Sequence, residues 1–115
     1  KTLVIIPSRL SATRLPGKPL LKINGLSIIS HVMKKAVSAN IGEVFVAAED
    51  QEIVDDVKKN GGEAIITSNN HQTGTDRIYE VVKKLFWTYS IINIKLLIFL
   101  MYNFASIYIV ITNQK

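Results

Sequence analysis

From residue 1 to 85 this chain alternates between short β-branched apolar runs and amphipathic segments, and that alternation leaves few folds open. Leu3 to Pro7 is an apolar run without a polar break, the pattern of a strand covered on both faces. After a loop, Leu20 to Ile23 and an Asn24-Gly25 turn lead to Ser27, a residue suited to cap a helix. Ile28, Ile29, Val32, Met33, Ala36 and Val37 follow at helical spacing, and the helix is expected to end near Asn40, which tolerates a left-handed cap. Val44 to Val46 predicts a second strand that opens into Ala47-Ala-Glu-Asp50. Gln51 to Lys59 predicts a second helix with Ile53, Val54 and Val57 inward, closed by Asn60-Gly-Gly62. Glu63 to Ile66 reads as a third strand. A loop from Thr67 to Gly74 then precedes Thr75, expected to cap a helix with Ile78, Val81, Val82 and Leu85 on one face. The expected fold is therefore α/β, a Rossmann-like parallel sheet with crossover helices. The loops after its three strands would lie along one edge, where one ligand can touch all of them.

The first of these loops is built for an anion. Arg9-Leu-Ser-Ala-Thr-Arg-Leu-Pro-Gly-Lys18 follows Pro7 and Ser8 at the end of the first strand and supplies Arg9, Arg14 and Lys18 as cations. Polyphosphates need fixed backbone N–H groups together with point charges. Gly17 lets the backbone approach closely, and Pro16 stiffens the bend that brings Lys18 round. The loop lacks the early glycine of a Walker A motif and has Pro19 where a metal-binding Ser or Thr would stand, and the chain contains no G-x-G-x-x-G. The plainer alternative is a solvated basic loop. Its position after a strand of an α/β sheet favours the ligand-binding reading.

The other two loops carry polar groups whose roles stay open on sequence grounds. Asp50 reads either as an N-cap or as a group that faces a ribose or orders the nucleotide pocket, and Ala47 and Ala48 would let a flat base come close. In His71-Gln-Thr-Gly-Thr-Asp-Arg77, Gln72 offers both an amide donor and an acceptor to a pyrimidine edge, and Gly74 allows backbone contact with a base. Thr75 and Asp76 can simply cap the helix, and Arg77 can simply pair with a carboxylate. His71 has no Ser, Cys or second histidine nearby in sequence, and His31 lies within a helix, so neither is assigned a chemical role.

Composition narrows the partners. The net charge of +5 is unevenly spread, with 12 Lys and Arg against 9 Asp and Glu up to residue 85 and two Lys without an acid in the last 30 residues. Neither part forms a basic stripe with interleaved aromatics, so no nucleic acid is expected. The chain has no cysteine, which removes disulfides and Cys-ligated zinc. It begins at Lys1 and runs directly into strand-like sequence, so a fragment or an imperfect gene model is expected, with no signal peptide.

Taken together, Ile5-Ile-Pro-Ser-Arg9, Thr13-Arg-Leu-Pro-Gly-Lys-Pro-Leu20, Ile23-Asn-Gly25, Val46-Ala-Ala and His71-Gln-Thr-Gly-Thr-Asp-Arg77 resemble the 3-deoxy-D-manno-octulosonate (KDO) cytidylyltransferases, or CMP-KDO synthetases, over roughly residues 2 to 85. One small departure is Ala12, where the family commonly has Ser before the Thr-Arg pair. The resemblance implies a fold of the nucleotide-diphospho-sugar transferase type. It also implies a cytoplasmic, homodimeric enzyme that moves a cytidylyl group from CTP to KDO, releasing pyrophosphate and giving CMP-KDO for lipopolysaccharide biosynthesis. Arg9 and Lys18 match the residues that hold the triphosphate and are the expected catalytic pair. Pro7, Ser8, Arg14, Gly17, Ala47, Ala48, Asp50, Gln72, Thr73 and Gly74 complete the expected nucleotide-binding set.

Beyond Leu85 the likeness breaks. The family continues into a strand ending Asn-x-Gln-Gly-Asp-Glu-Pro, whose aspartate binds Mg2+, whereas this chain keeps the frame through Ile91-Ile-Asn-Ile94 and then reads Lys95-Leu-Leu-Ile-Phe-Leu100. No acidic residue follows Glu80, so no metal ligand is assigned. Residues 1–85 are thus expected to be an incomplete nucleotide-binding unit and 86–115 an apolar tail foreign to the family. Leu96 to Ile111 is apolar but interrupted by Tyr102, Asn103, Ser106 and Tyr108, which makes a poor membrane anchor. Out-of-frame translation of an AT-rich gene is the favoured account of the tail. The expected protein is then a truncated, inactive cytidylyltransferase, the alternatives being a non-catalytic CTP-binding module or a small membrane-associated protein.

Overall fold

A computed structural model describes residues 2–11, 15–71, 74–89, 94–101 and 106–113, with 74–75, 86–89 and the last two segments described as backbone only. Strand β1 spans Thr2–Ser8 and is followed, after the basic loop, by a single 3-10 turn at Lys18–Leu20. Strands β2 (Lys22–Ile23) and β3 (Leu26–Ser27) form a small antiparallel hairpin. Asn24 and Gly25 occupy its tip with φ of 53° and 80°, the left-handed pair that a two-residue hairpin requires. Helix α1 (Ile28–Ser38), strand β4 (Glu43–Ala48), helix α2 (Gln51–Lys59), strand β5 (Glu63–Ile66) and helix α3 (Gly74–Tyr89) complete the alternation.

β1, β4 and β5 are parallel neighbours, in the register Ser8 opposite Ala48 and Ala48 opposite Ile66. The expected parallel sheet with crossover helices is present, and the carboxyl ends of its three strands stand side by side. β1 runs between two cores. Val4 and Ile6 face α1 and α2 with Ile29, Met33, Ile53, Val54 and Val57, while Leu3 and Ile5 face α3 with Ile78, Val81, Val82 and Leu85. Burial on both faces is the physical reason for its unbroken apolar sequence.

Two local expectations need correction. β4 continues through Ala48 rather than ending at Val46, because both alanines are fully buried, Ala47 against α3 and Ala48 against α1 and α2. α3 begins at Gly74, which puts Thr75 inside its first turn and not at the cap. The same helix runs past Leu85 to Tyr89. The apolar tail supplies strands β6 (Ile94–Met101) and β7 (Ser106–Asn113), and β7 pairs antiparallel with β1, Leu3 opposite Ile111. The five-stranded sheet is ordered β5-β4-β1-β7-β6, so an antiparallel hairpin extends the parallel part. No helix among the described residues is long and apolar enough to cross a membrane.

Helix ends behave as their sequences predict in two cases. Asn40, with φ of 52°, takes the left-handed position after α1. Ser27 caps α1, its Oγ accepting from the Ser30 amide at 3.2 Å, and the same hydroxyl donates to Asp56 of α2. Ser30 Oγ also donates to Asp56 Oδ2 at 2.8 Å, and Asn60 Nδ2 donates to Ser30 Oγ at 3.3 Å. A buried hydroxyl pair thus anchors α1 to α2. Ser27→Ala is expected to cost about 1–2 kcal/mol, as it loses the cap and one of the donors to Asp56; urea unfolding measures it, and an unchanged midpoint would show that the cap contributes nothing.

Candidate functional site

The basic loop leaves β1 with Pro7 and Ser8 still in the strand and Arg9 half-buried just beyond it. The loop closes on itself where the Gly17 amide donates to the Leu10 carbonyl at 2.9 Å. That bond brings together the backbone at Arg9 and at Lys18, the neighbours of the two bonded residues. Gly17 has φ of 76°, and a side chain there would meet no atom within 4 Å, so glycine is required by backbone conformation and not by space. The 3-10 turn follows at once, with Leu20 N–H donating to Gly17 C=O at 3.0 Å and Lys18 as its first residue. Arg14, Gln72 and Thr73 lie outside the described residues.

The loop after β4 holds this one in place. Asp50 sits at the N-cap position of α2, yet its side chain makes no capping bond. Its Oδ2 accepts instead from the Leu10 amide at 2.8 Å, across 40 residues of sequence. Glu49 divides its two oxygens, Oε1 accepting from Ser11 Oγ at 3.2 Å and Oε2 from Arg77 Nη2 at 3.1 Å. Arg77 is 2% exposed and uses its other terminal nitrogen, Nη1, to donate to Thr67 Oγ1 at 3.0 Å. A hydrogen-bonded chain Thr67–Arg77–Glu49–Ser11 therefore crosses the ends of β5, β4 and β1.

Sequence reasoning found Asp50 and Arg77 but could not choose between their roles, and it gave Glu49 none. The available signal for Glu49 was a second acid directly before a helix in a chain where a buried arginine would need a counter-charge. Ala47 and Ala48, expected to let a base come close, present their methyl groups to the two cores, so their side chains do not face the strand-end edge where the loops gather. Gly74 is the first residue of α3, at the end of the third loop.

A second cluster stiffens that third loop. Glu80 on α3 accepts from the Ser68 amide at 3.0 and 3.3 Å, contacts His71 Nε2 at 2.8 Å and pairs with Lys84 at 3.0 Å. Burial works to raise the Glu80 carboxyl, but the bonds from Lys84, the Ser68 amide and His71 outweigh it and hold the pKa down to about 2. His71 is thus a loop-anchoring residue, and His31 Nε2 donates to the Ile23 carbonyl of the hairpin at 2.8 Å. A carboxyl with a lowered folded-state pKa contributes stability that is fully present above its unfolded value and is lost as pH falls. Acid unfolding is therefore expected to steepen between about pH 4.5 and pH 2 and to flatten in Glu80→Gln; identical acid limbs in the two proteins would remove the assignment.

Among the described residues no group of three His, Cys, Asp or Glu side chains is placed to hold a metal ion. The two acids nearest the basic loop are committed to Leu10, Ser11 and Arg77.

Comparison with known proteins bears on this arrangement. Residues 3–95 match the family model described as cytidylyltransferase. A 3-deoxy-manno-octulosonate cytidylyltransferase from a Bradyrhizobium species is 54% identical over 85 residues, covering 74% of this chain and 35% of that protein. One of the same name from Rhodopseudomonas palustris is 49% identical over 85 residues, with the same coverage of 74% and 35%. The chain thus spans about a third of the length of these curated relatives. A solved structure of CMP:2-keto-3-deoxy-manno-octonic acid synthetase complexed with CTP superposes with a TM-score of 0.65 at 47% identity, covering 71% of this chain and 34% of that one. With more than half of its residues matched, on a sheet whose strand-end loops have the geometry described, this chain belongs to the cytidylyltransferase family.

Proposed function

We propose that this chain is the CTP-binding part of an enzyme that activates KDO, and that the polypeptide of this sequence binds CTP with little or no turnover. The observation that carries the reading is the self-closed loop between Leu10 and Gly17, at the carboxyl end of a parallel strand, in a chain 47% identical to a synthetase solved with CTP. In the whole reaction the anomeric oxygen of KDO attacks the α-phosphorus of CTP. The bond from that phosphorus to the bridging oxygen breaks, the hydroxyl proton is lost, and pyrophosphate leaves. Such a displacement needs positioning and charge neutralisation on the leaving group more than a covalent nucleophile. Arg9 and Lys18 are assigned that role, with Arg14 and the Gly17 backbone beside them and Pro7 and Ser8 at the strand end. Gln72, Thr73 and Gly74 are assigned to the cytosine and sugar. Ala47, Ala48 and Asp50 line the nucleotide side only through backbone or through their hold on the loop.

The family resemblance implies Mg2+, but the described residues offer no ligand set for it. The division into a nucleotide-binding unit over residues 1–85 and a foreign tail over 86–115 belongs to the same proposal, as do a cytoplasmic setting, where CTP is available, and the homodimer of the family. An in-frame Gln-Gly-Asp-Glu-Pro in a neighbouring reading frame of the DNA after Ile94 would establish the origin of the tail.

Calorimetric titration of the full chain with CTP tests the binding. Lys18→Ala is expected to weaken it by roughly tenfold or more, the worth of one charge-assisted contact to phosphate. Absence of heat from folded wild-type protein removes the CTP reading. A pyrophosphate-release assay with CTP, KDO and Mg2+ tests the inactivity, which turnover comparable to an intact enzyme would overturn.

A further inference from the structure

We infer that Glu49 and Asp50 are positioning residues that fix the Arg9–Lys18 loop from behind, and that Arg77 permits this by cancelling the Glu49 charge; the inference rests on the reading of that loop as the triphosphate cradle. Successive acids take successive loop residues: Asp50 accepts from the Leu10 amide at 2.8 Å, and Glu49 accepts from the Ser11 hydroxyl at 3.2 Å. Two bare carboxylates beside a polyphosphate site would repel the ligand. Both are instead satisfied from the protein side. Asp50 stands at the positive end of α2, and Glu49 meets a guanidinium that is itself 2% exposed and spent on Thr67 and Glu49. Arg77, held this way, is a brace rather than a ligand contact.

The brace also joins the two halves of the proposed site. Arg77 lies one helical turn beyond Gly74, the first residue of α3 and one of those assigned to the cytosine and sugar. Its partner Glu49 reaches Ser11 in the phosphate loop. The first turn of α3 and the loop assigned to the phosphates therefore share one hydrogen-bonded support, and disturbing either end is felt at the other.

A double-mutant cycle on the full chain, read by CTP titration, tests this. Ser11 and Arg77 each hydrogen-bond Glu49, and no bond between them is present. Ser11→Ala is expected to weaken CTP binding roughly threefold and Arg77→Lys roughly tenfold, with the double variant no weaker than Arg77→Lys alone. Independent losses that multiply to about thirtyfold, the pattern of two merely structural effects, overturn the inference. Should Arg77→Lys not fold, Glu49→Gln takes its place in the cycle. If wild-type protein does not bind CTP, the functional reading fails by itself, and the brace is judged without ligand from amide hydrogen exchange. Asp50→Ala and Glu49→Gln are then expected to reduce protection of the Leu10 and Gly17 amides at least fivefold or so. Unchanged protection overturns it.

Discussion

Arg77→Met is expected to lower the unfolding free energy by about 3–5 kcal/mol, because it strands a mostly buried carboxylate. Glu49 is 12% exposed and Arg77 2%, so water cannot replace the guanidinium efficiently, and the Thr67 hydroxyl loses its donor as well. For a domain of this size that loss is a large share of an ordinary total stability of about 5–15 kcal/mol. The penalty comes from the unpaired charge and not from lost packing, since methionine fills much of the same volume. The double variant Arg77→Met with Glu49→Gln is therefore expected to regain a substantial part of the loss. Urea unfolding of both variants decides it, and a double variant no more stable than the single would show that packing, not charge, is what Arg77 provides.

The second large effect belongs to β1. Ile6→Ala is expected to cost about 2–5 kcal/mol, since Ile6 is fully buried between β4 and the pair of helices α1 and α2. Ile66→Ala, at the exposed end of β5 with 43% of its surface open, is expected to cost far less. Midpoints of denaturant unfolding with unchanged slopes would measure both, and equal losses would mean that the core is not centred on β1. Because Ser8 and Arg9 follow directly, loosening this strand is also expected to loosen the basic loop that it carries.

The elements that were legible in the sequence are those set by neighbours in the chain. α2 has the bounds that its apolar spacing predicts, Gln51–Lys59, and β5 those of its β-branched run, Glu63–Ile66. Ser27, Asn24-Gly25 and Asn40 announced a cap, a hairpin turn and a helix end through local backbone chemistry, and each is found in that role. Misplaced boundaries have a local cause too. Ala47 and Ala48 have weak strand preference and read as a loop, until burial on opposite faces of the sheet overrides it.

The site was legible as a list and not as an arrangement. Three strand-end loops on one edge follow from the order of strands and helices, which the sequence by itself determined through hydrophobic period and turn residues. Only the tertiary structure decided that Asp50 forgoes its cap to hold the Leu10 amide 40 residues away. It likewise decided that Arg77 answers Glu49 across 28 residues, and that the tail's strand β7 pairs with β1. The physical reason is that periodicity and capping act within a few residues. A buried charge or an open strand edge takes its partner from whatever the folded chain brings within about 3 Å, and the sequence pattern carries no record of that distance.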